Sequence, residues 1–263
     1  MIGLFLGGTD FPSLILKKLK KKRKKYFIID LTKKNLFKKY KNSYFISIGK
    51  FGEILKLIHD KKCKKVLFAG KIEKPKISNL KLDFKGFYYL PRIIKAFKLG
   101  DAAILKELIN ILNENKIKVI KSNFFNPELT LNKGTYTKFK PTINDFKEIG
   151  LGLKYLKKLS PYNHTQAVIV KNNKVIKKET SRGTKKMIEK TIRNDQKNGI
   201  LIKFPKKKQD LRADLPTIGF DTLMDCKKAN LKGIVLKSKE NIFLDQKKSI
   251  YFANRNKIFI HIL

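Results

Sequence analysis

Apolar residues along this chain fall into short blocks that alternate between two spacings. Ile2–Leu6, Tyr26–Leu31, Tyr44–Ile48 and Lys65–Ala69 are compact runs rich in Ile, Val, Phe and Tyr, as expected of strands. Between them, apolar positions recur every three or four residues. Pro12–Lys22 carries Leu14, Ile15, Leu16 and Leu19, and Gly52–Lys62 carries Ile54, Leu55 and Ile58. That spacing lays one apolar stripe along a helix. A helical pattern at Leu90–Leu99 passes through Gly100-Asp101 into Ala102–Asn115, and Val119-Ile120 closes the run. Strands alternating with helices of this size predict an α/β unit with a mostly parallel, Rossmann-like sheet.

Periodicity breaks across Phe125–Lys138, at Pro127, Asn132 and Gly134, with Pro141 just beyond. A domain boundary is expected there, dividing the chain into residues 1–130 and 131–263. The second half opens with a helix at Thr142–Lys158. Gln166–Lys171 and Lys174–Glu179 then read as a hairpin about Asn172-Asn173, residues that tolerate the positive φ of a tight turn. A helix near Gly183–Arg193, a strand at Gly199–Lys203 and a helix at Phe220–Ala229 follow. Strands at Gly233–Leu236, Ile242–Leu244 and Ile258–His261, with a helix at Gln246–Arg255, complete a second α/β domain.

Composition is that of a globular chain: 42% hydrophobic and 11% aromatic residues. No apolar run is long enough to span a bilayer. The N-terminus has no basic segment before its apolar stretch, so it reads as a strand and not as a signal peptide. Cys63 and Cys226 lie far apart, which suits buried, idle thiols in a reducing cytoplasm. The formal charge of +41 invites a nucleic-acid reading. Only Arg23, Arg92, Arg182, Arg193, Arg212 and Arg255 are arginines, however, and the excess is Lys beside abundant Ile, Asn and Phe. Those residues have A/T-rich codons, and the lysines are spread over nearly every element. Compositional drift explains the charge better than a nucleic-acid stripe does, although clustered Lys still attracts anionic lipid surfaces.

The segment Gln209-Asp210-Leu211-Arg212-Ala213-Asp214-Leu215-Pro216-Thr217-Ile218-Gly219 concentrates the candidate chemistry. Pro216 biases Leu215 towards an extended conformation. In an extended chain Asp210, Arg212 and Asp214 would share one side. Two carboxylates about a guanidinium suit a site for a divalent cation and a phosphate, because hard cations take carboxylate oxygens and Arg grips phosphate with paired donors. An ordinary salt-bridge cluster in a surface turn would have the same spacing. The helix after Gly219, with Asp221 or Thr222 able to cap it, would add backbone donors. Gly7-Gly8-Thr9-Asp10 joins the first strand to a helix, where mononucleotide folds approach phosphate; a tight turn with a Thr9 or Asp10 cap reads equally well. Asp30 ends the second strand, where a ribose-binding acid often sits, so a nicotinamide-dependent oxidoreductase is a rival, but no G-x-G-x-x-G is present. Lys71 lies at a strand's carboxyl end, Asp101 contacts a ligand or begins a helix, and Gln166 serves backbone or substrate. His59, His164 and His261 show no metal spacing.

These residues also carry a family resemblance. Lys203 to Gly219 resembles the signature of the UDP-2,3-diacylglucosamine pyrophosphatases of the LpxI type. Gly3–Pro12, Ala69-Gly70-Lys71, Gly100–Leu105, Pro127-Glu128-Leu129 and Gln166–Val170 follow in the family's order. The resemblance implies hydrolysis of the pyrophosphate to UMP and 2,3-diacylglucosamine 1-phosphate, a step in lipid A biosynthesis. It implies Asp214 on a divalent cation, Mg2+ by first choice, or on the attacking water, with Asp210 supporting as a second metal ligand. Arg212 would hold phosphate oxygens, with Gly7, Gly8, Asp10, Lys71, Asp101, Gln166 and Thr217 contacting substrate. The protein would be cytoplasmic and peripheral to the inner membrane, with a lipid-linked UDP-sugar as its ligand and no specific nucleic acid; a homodimer is compatible with it. Arg182 and Lys185 stand where the family has acidic residues, and Thr165 where glycine is usual, so no role is carried onto that pair. The alternative of another class is a non-catalytic nucleotide-sugar or nucleic-acid binder.

Overall fold

The computed structural model describes residues 1–72, 77–159, 164–191, 198–207 and 209–263. The chain divides into two compact units, Met1–Pro127 with Asp210–Asp214, and Glu128–Gln209 with Leu215–Leu263. The sequence places all of the Gln209–Gly219 segment in the C-terminal domain. Instead, Asp210–Asp214 belong to the first unit: the Ser122 N–H donates to the Arg212 carbonyl at 2.7 Å, and Ala213 packs against that unit's apolar core.

The first unit runs β1 (Ile2–Leu6), α1 (Phe11–Lys21), β2 (Tyr26–Asp30), β3 (Ser43–Phe45), α2 (Phe51–Asp60), β4 (Lys65–Ala69), α3 (Phe84–Leu99), α4 (Asp101–Glu114) and β5 (Lys118–Val119). Its sheet is parallel throughout, in the order β3-β2-β1-β4-β5. β1, β2 and β4 are buried beyond their first residue, which is why they read as unbroken apolar runs instead of alternating ones. α3 begins well before the Leu90 start that periodicity suggests. Asp83 makes the difference: its carboxylate accepts the Gly86 N–H at 2.7 Å and the Glu53 N–H at 2.9 Å, capping α3 and serving the first turn of α2 together. Gly100, at φ 105°, separates α3 from α4. Arg92 then ties the two helices by bonding Glu107 at 2.6 Å and both carboxylate oxygens of Glu114 at 2.6 and 2.8 Å.

The second unit runs β6 (Gly134–Thr135), α5 (Ile143–Lys158), β7 (Ala167–Lys171), β8 (Lys174–Lys178), α6 (Gly183–Glu189), β9 (Ile200–Lys203), β10 (Thr217–Ile218), α7 (Phe220–Lys228), β11 (Gly233–Leu236), β12 (Ile242–Phe243), α8 (Gln246–Arg255) and β13 (Phe259–Ile262). The helix expected as far as Arg193 ends, among the described residues, at Glu189; Arg193 lies outside them. The main sheet has the order β6-β13-β11-β9-β7-β8, parallel at its centre and antiparallel at both edges, while β10 and β12 form a separate parallel pair. Alternate residues point to opposite faces. Val168, Val170, Ile200, Ile202 and Val235 pack with Ile149 of α5. Ala167, Ile169, Leu201, Ile234 and Leu236 pack with residues of α6, α7 and α8. The β7–β8 turn places Asn172 and Asn173 at φ 50° and 56°, as the hairpin reading requires. Lys232 sets α5 on the sheet by pairing with Asp145 at 2.6 Å and Glu148 at 3.2 Å, both nearly buried. Among the described residues no helix is long and apolar enough to cross a membrane.

Candidate active site

Asp210–Asp214 form a turn, not the strand or extended loop expected from Pro216. The Asp210 carbonyl accepts the Ala213 N–H at 3.1 Å and the Asp214 N–H at 3.0 Å. The Asp210 side chain completes an Asx turn by accepting the Arg212 N–H at 3.0 Å. Pro216 exerts its bias only downstream, where Thr217–Ile218 is the short strand β10. The turn curls the Arg212 guanidinium back onto Asp210, with Nε at 3.0 Å from one carboxylate oxygen and Nη2 at 2.7 Å from the other. The Arg212 hydrogen bond, with smaller help from Lys106, outweighs partial burial and holds the Asp210 carboxyl below its usual range. The same contact raises the guanidinium further above its already high value. A guanidinium has five N–H donors in a plane, and Asp210 takes two. The rest remain on a side chain that is 43% exposed, so Asp210 fixes the orientation of a fork still able to receive phosphate oxygens. Asp210 and Arg212 thus form an ion pair within a turn, the alternative that the spacing also allowed, and Asp214 follows on the same turn, half-buried.

The glycine-rich turn takes the tight-turn form that was the alternative to phosphate contact. The Gly7 N–H donates to the Ala69 carbonyl at 2.8 Å and the Gly8 N–H to the Lys71 carbonyl at 2.9 Å. Both donors proposed for phosphate are thus engaged in joining the ends of β1 and β4. Gly7 is glycine because the backbone of Lys71 and Ile72 passes where its Cβ would stand, and Gly70, at φ 85°, approaches the Gly7 carbonyl as closely from the other side. Lys71 is exposed beside this junction. Asp10 is exposed at the N-cap of α1 without a side-chain cap bond, and Asp101 is the first residue of α4, where its charge suits the helix dipole. Asp30 is wholly buried. Its carboxylate accepts the Thr32 N–H and hydroxyl at 2.8 and 2.7 Å and the Phe37 N–H at 2.9 Å, so it organises the β2–β3 connection and is closed to a ribose hydroxyl. With it goes the structural basis of the oxidoreductase rival.

In the second unit, Gln166 and Thr217 meet in a network that the sequence reading missed. Lys203, at the carboxyl end of β9, is only 6% exposed. Its Nζ donates to the Thr184 hydroxyl at 2.8 Å and to the Thr217 carbonyl at 3.1 Å. Thr184 in turn donates to buried Glu179 at 2.6 Å, and the other Glu179 oxygen accepts the Gln166 N–H at 3.1 Å. A lysine in a chain so rich in lysine carries no signal by itself. The signal was positional: a charged residue closing an otherwise apolar strand just ahead of the Gln209–Gly219 segment. Arg182 is the N-cap residue of α6 and Lys185 lies in its first turn.

No group of three or more His, Cys, Asp or Glu side chains converges among the described residues. Asp210 and Asp214 nevertheless offer hard carboxylate oxygens on one turn. Mg2+ commonly takes one or two carboxylates and completes its shell with water and substrate phosphate, and these two residues are of that type, although both Asp210 oxygens already accept from Arg212.

A Rossmann-type parallel sheet followed by a mixed sheet, with an acid–guanidinium turn returning to the first, defines a two-unit α/β protein. The LpxI N-terminal domain matches residues 1–129 and the LpxI C-terminal domain residues 132–261, and the chain belongs to the LpxI family. It is 28% identical over 223 residues to UDP-2,3-diacylglucosamine pyrophosphatase LpxI of Caulobacter vibrioides, covering 82% of this chain and 80% of that protein.

Proposed function

We propose that this chain is a UDP-2,3-diacylglucosamine pyrophosphatase that releases UMP and 2,3-diacylglucosamine 1-phosphate in lipid A biosynthesis. The observation that carries the reading is the Asp210–Asp214 turn, which orients a half-exposed guanidinium through Asp210 and carries a second carboxylate two residues after Arg212. Family membership and the name of the Caulobacter relative support the substrate.

Arg212 receives the pyrophosphate through its outward N–H groups and stabilises negative charge as the bridging bond breaks. Asp214 accepts a hydrogen bond from the attacking water and takes its proton. The water oxygen joins the phosphorus on the sugar side, and the bridging oxygen leaves with UMP. A divalent cation, Mg2+ in this proposal, would be held by Asp214 and Asp210 with phosphoryl oxygens, and would polarise the phosphoryl group and lower the pKa of bound water. The protein works from the cytoplasmic face of the inner membrane, where its lipid substrate resides.

The test is incubation with UDP-2,3-diacylglucosamine in 18O-labelled water, followed by mass spectrometry. UMP should appear without UDP, the label should enter the lipid phosphate, and EDTA should suppress both products. Absence of UMP with every divalent cation tried would end the assignment. Undiminished turnover in EDTA would remove the metal from it.

A further inference from the structure

Helix α3 presents an aromatic face to solvent. Phe84 is 89% exposed, Phe87 64% and Tyr88 70%. Their i, i+3 and i+4 spacing puts them on one side of the helix, and exposed Pro91 extends that side. These rings are not core residues out of place. Gly86, Tyr89, Ile93 and Ala96 already complete the buried stripe. Nor can the helix roll to cover them: Gly86 rests against the Gly49 carbonyl with no room for a Cβ, and Asp83 pins the helix start to α2. Apolar clusters of this kind on a folded protein mark interaction sites.

The charge around the rings has one sign. Lys81, Lys85, Lys95 and Lys98 are all exposed along the same stretch. The single acid between Leu80 and Leu99 is Asp83, whose carboxylate oxygens are bonded to helix N–H groups. Arg92 is neutralised by Glu107 and Glu114. Rings flanked by uncompensated lysines complement a surface that is apolar below and anionic above. A symmetric contact with a second copy would set the same lysines against each other.

We propose that this face of α3 docks the protein on an anionic lipid bilayer, with Phe84, Phe87 and Tyr88 at the headgroup–acyl boundary and the lysines on lipid phosphates. The proposal rests on the reading above in one respect only, that the substrate is a membrane lipid.

Co-sedimentation with phosphatidylglycerol–phosphatidylcholine vesicles tests it. The Phe84→Ser/Phe87→Ser/Tyr88→Ser variant should fold normally, since the rings are exposed, and lose about tenfold or more in vesicle affinity. Lys81→Glu/Lys85→Glu should lose at least about tenfold and abolish the preference for anionic over neutral vesicles. Tyr251→Ser, which removes a ring exposed to 64% on α8, should bind as wild type. Equal vesicle binding by the triple variant and wild type would overturn the proposal. So would a dimer in sedimentation velocity, or a complex with single-stranded RNA, that depends on the three rings while vesicle binding does not. Binding is read without turnover, so the two readings fail separately. A protein that docks but releases no UMP sinks the hydrolase, and one that hydrolyses detergent-dispersed substrate but ignores vesicles sinks the docking face.

Discussion

Asp214, Asp83 and Asp30 are the same residue type in three different surroundings. Asp30 is buried and accepts local N–H and O–H groups, so it is structural. Asp214 lies half-buried in the Arg212 turn. Asp214→Ala should lower kcat by about 10²-fold or more, the scale of losing one preorganised electrostatic group, while circular dichroism stays unchanged. A folded variant with normal turnover would relocate the catalytic carboxylate. Burial alone would raise the Asp83 carboxyl, but the N–H groups of Gly86, Glu53 and Gly52 prevail and hold it below its ordinary 3.8. A depressed folded value means that its stabilisation is present above the unfolded pKa and is lost as pH falls through the folded one. Asp83→Ala should therefore cost about 1–2 kcal/mol at neutral pH, as a helix cap does, and the gap to wild type should close in acid. Urea unfolding across that range reads both parts.

Single elements show how far periodicity and turn chemistry reach. The Asn172-Asn173 hairpin was legible because both φ > 0 positions belong to asparagine, and the Asn173 N–H additionally bonds Glu148 of α5 at 3.0 Å. Asn173→Val should cost about 1–2 kcal/mol through left-handed strain, whereas Asn173→Gly, which keeps the N–H, should hold or improve stability. Thermal unfolding of the two variants checks the order, and a Val variant as stable as the Gly one would contradict the turn geometry. α3 was less legible. Its first turns carry aromatic residues on the outer side as well as the inner, so no apolar stripe marked its start, and the capping bond that fixes Phe84 as its beginning comes from a side chain shared with α2.

For the molecule as a whole, the charge of +41 is the most conspicuous quantity and says least about specificity. Lysines stand on nearly every element of both units, so the field is broad. RNA binding should fall steeply with salt and show no sequence preference, by filter binding across a salt series. A nanomolar, sequence-selective complex at physiological salt would instead favour a nucleic-acid binder. Local concentration of charge matters more than its total, as where four lysines stand beside the three exposed rings along α3.

The sequence by itself determined the alternation of strands and helices and the parallel sheet of the first unit. Buried parallel strands such as β1, β2 and β4 must be apolar throughout, and α1 and α2 must carry their stripes at helical spacing; both requirements are written within a few consecutive residues. It also singled out the acid–arginine segment, without deciding between a surface ion pair and a phosphate site. Tertiary structure decided the partners. It curled Asp210–Asp214 into a turn and packed them with the first unit, although their neighbours on both sides belong to the second. It engaged the Gly7 and Gly8 donors with Ala69 and Lys71, closed Asp30 over its own loop, and buried Lys203 between Thr184 and Thr217. Periodicity is a local property of the chain, whereas a polar group's hydrogen-bond partner is chosen by whatever the folded backbone brings within about 3 Å of it.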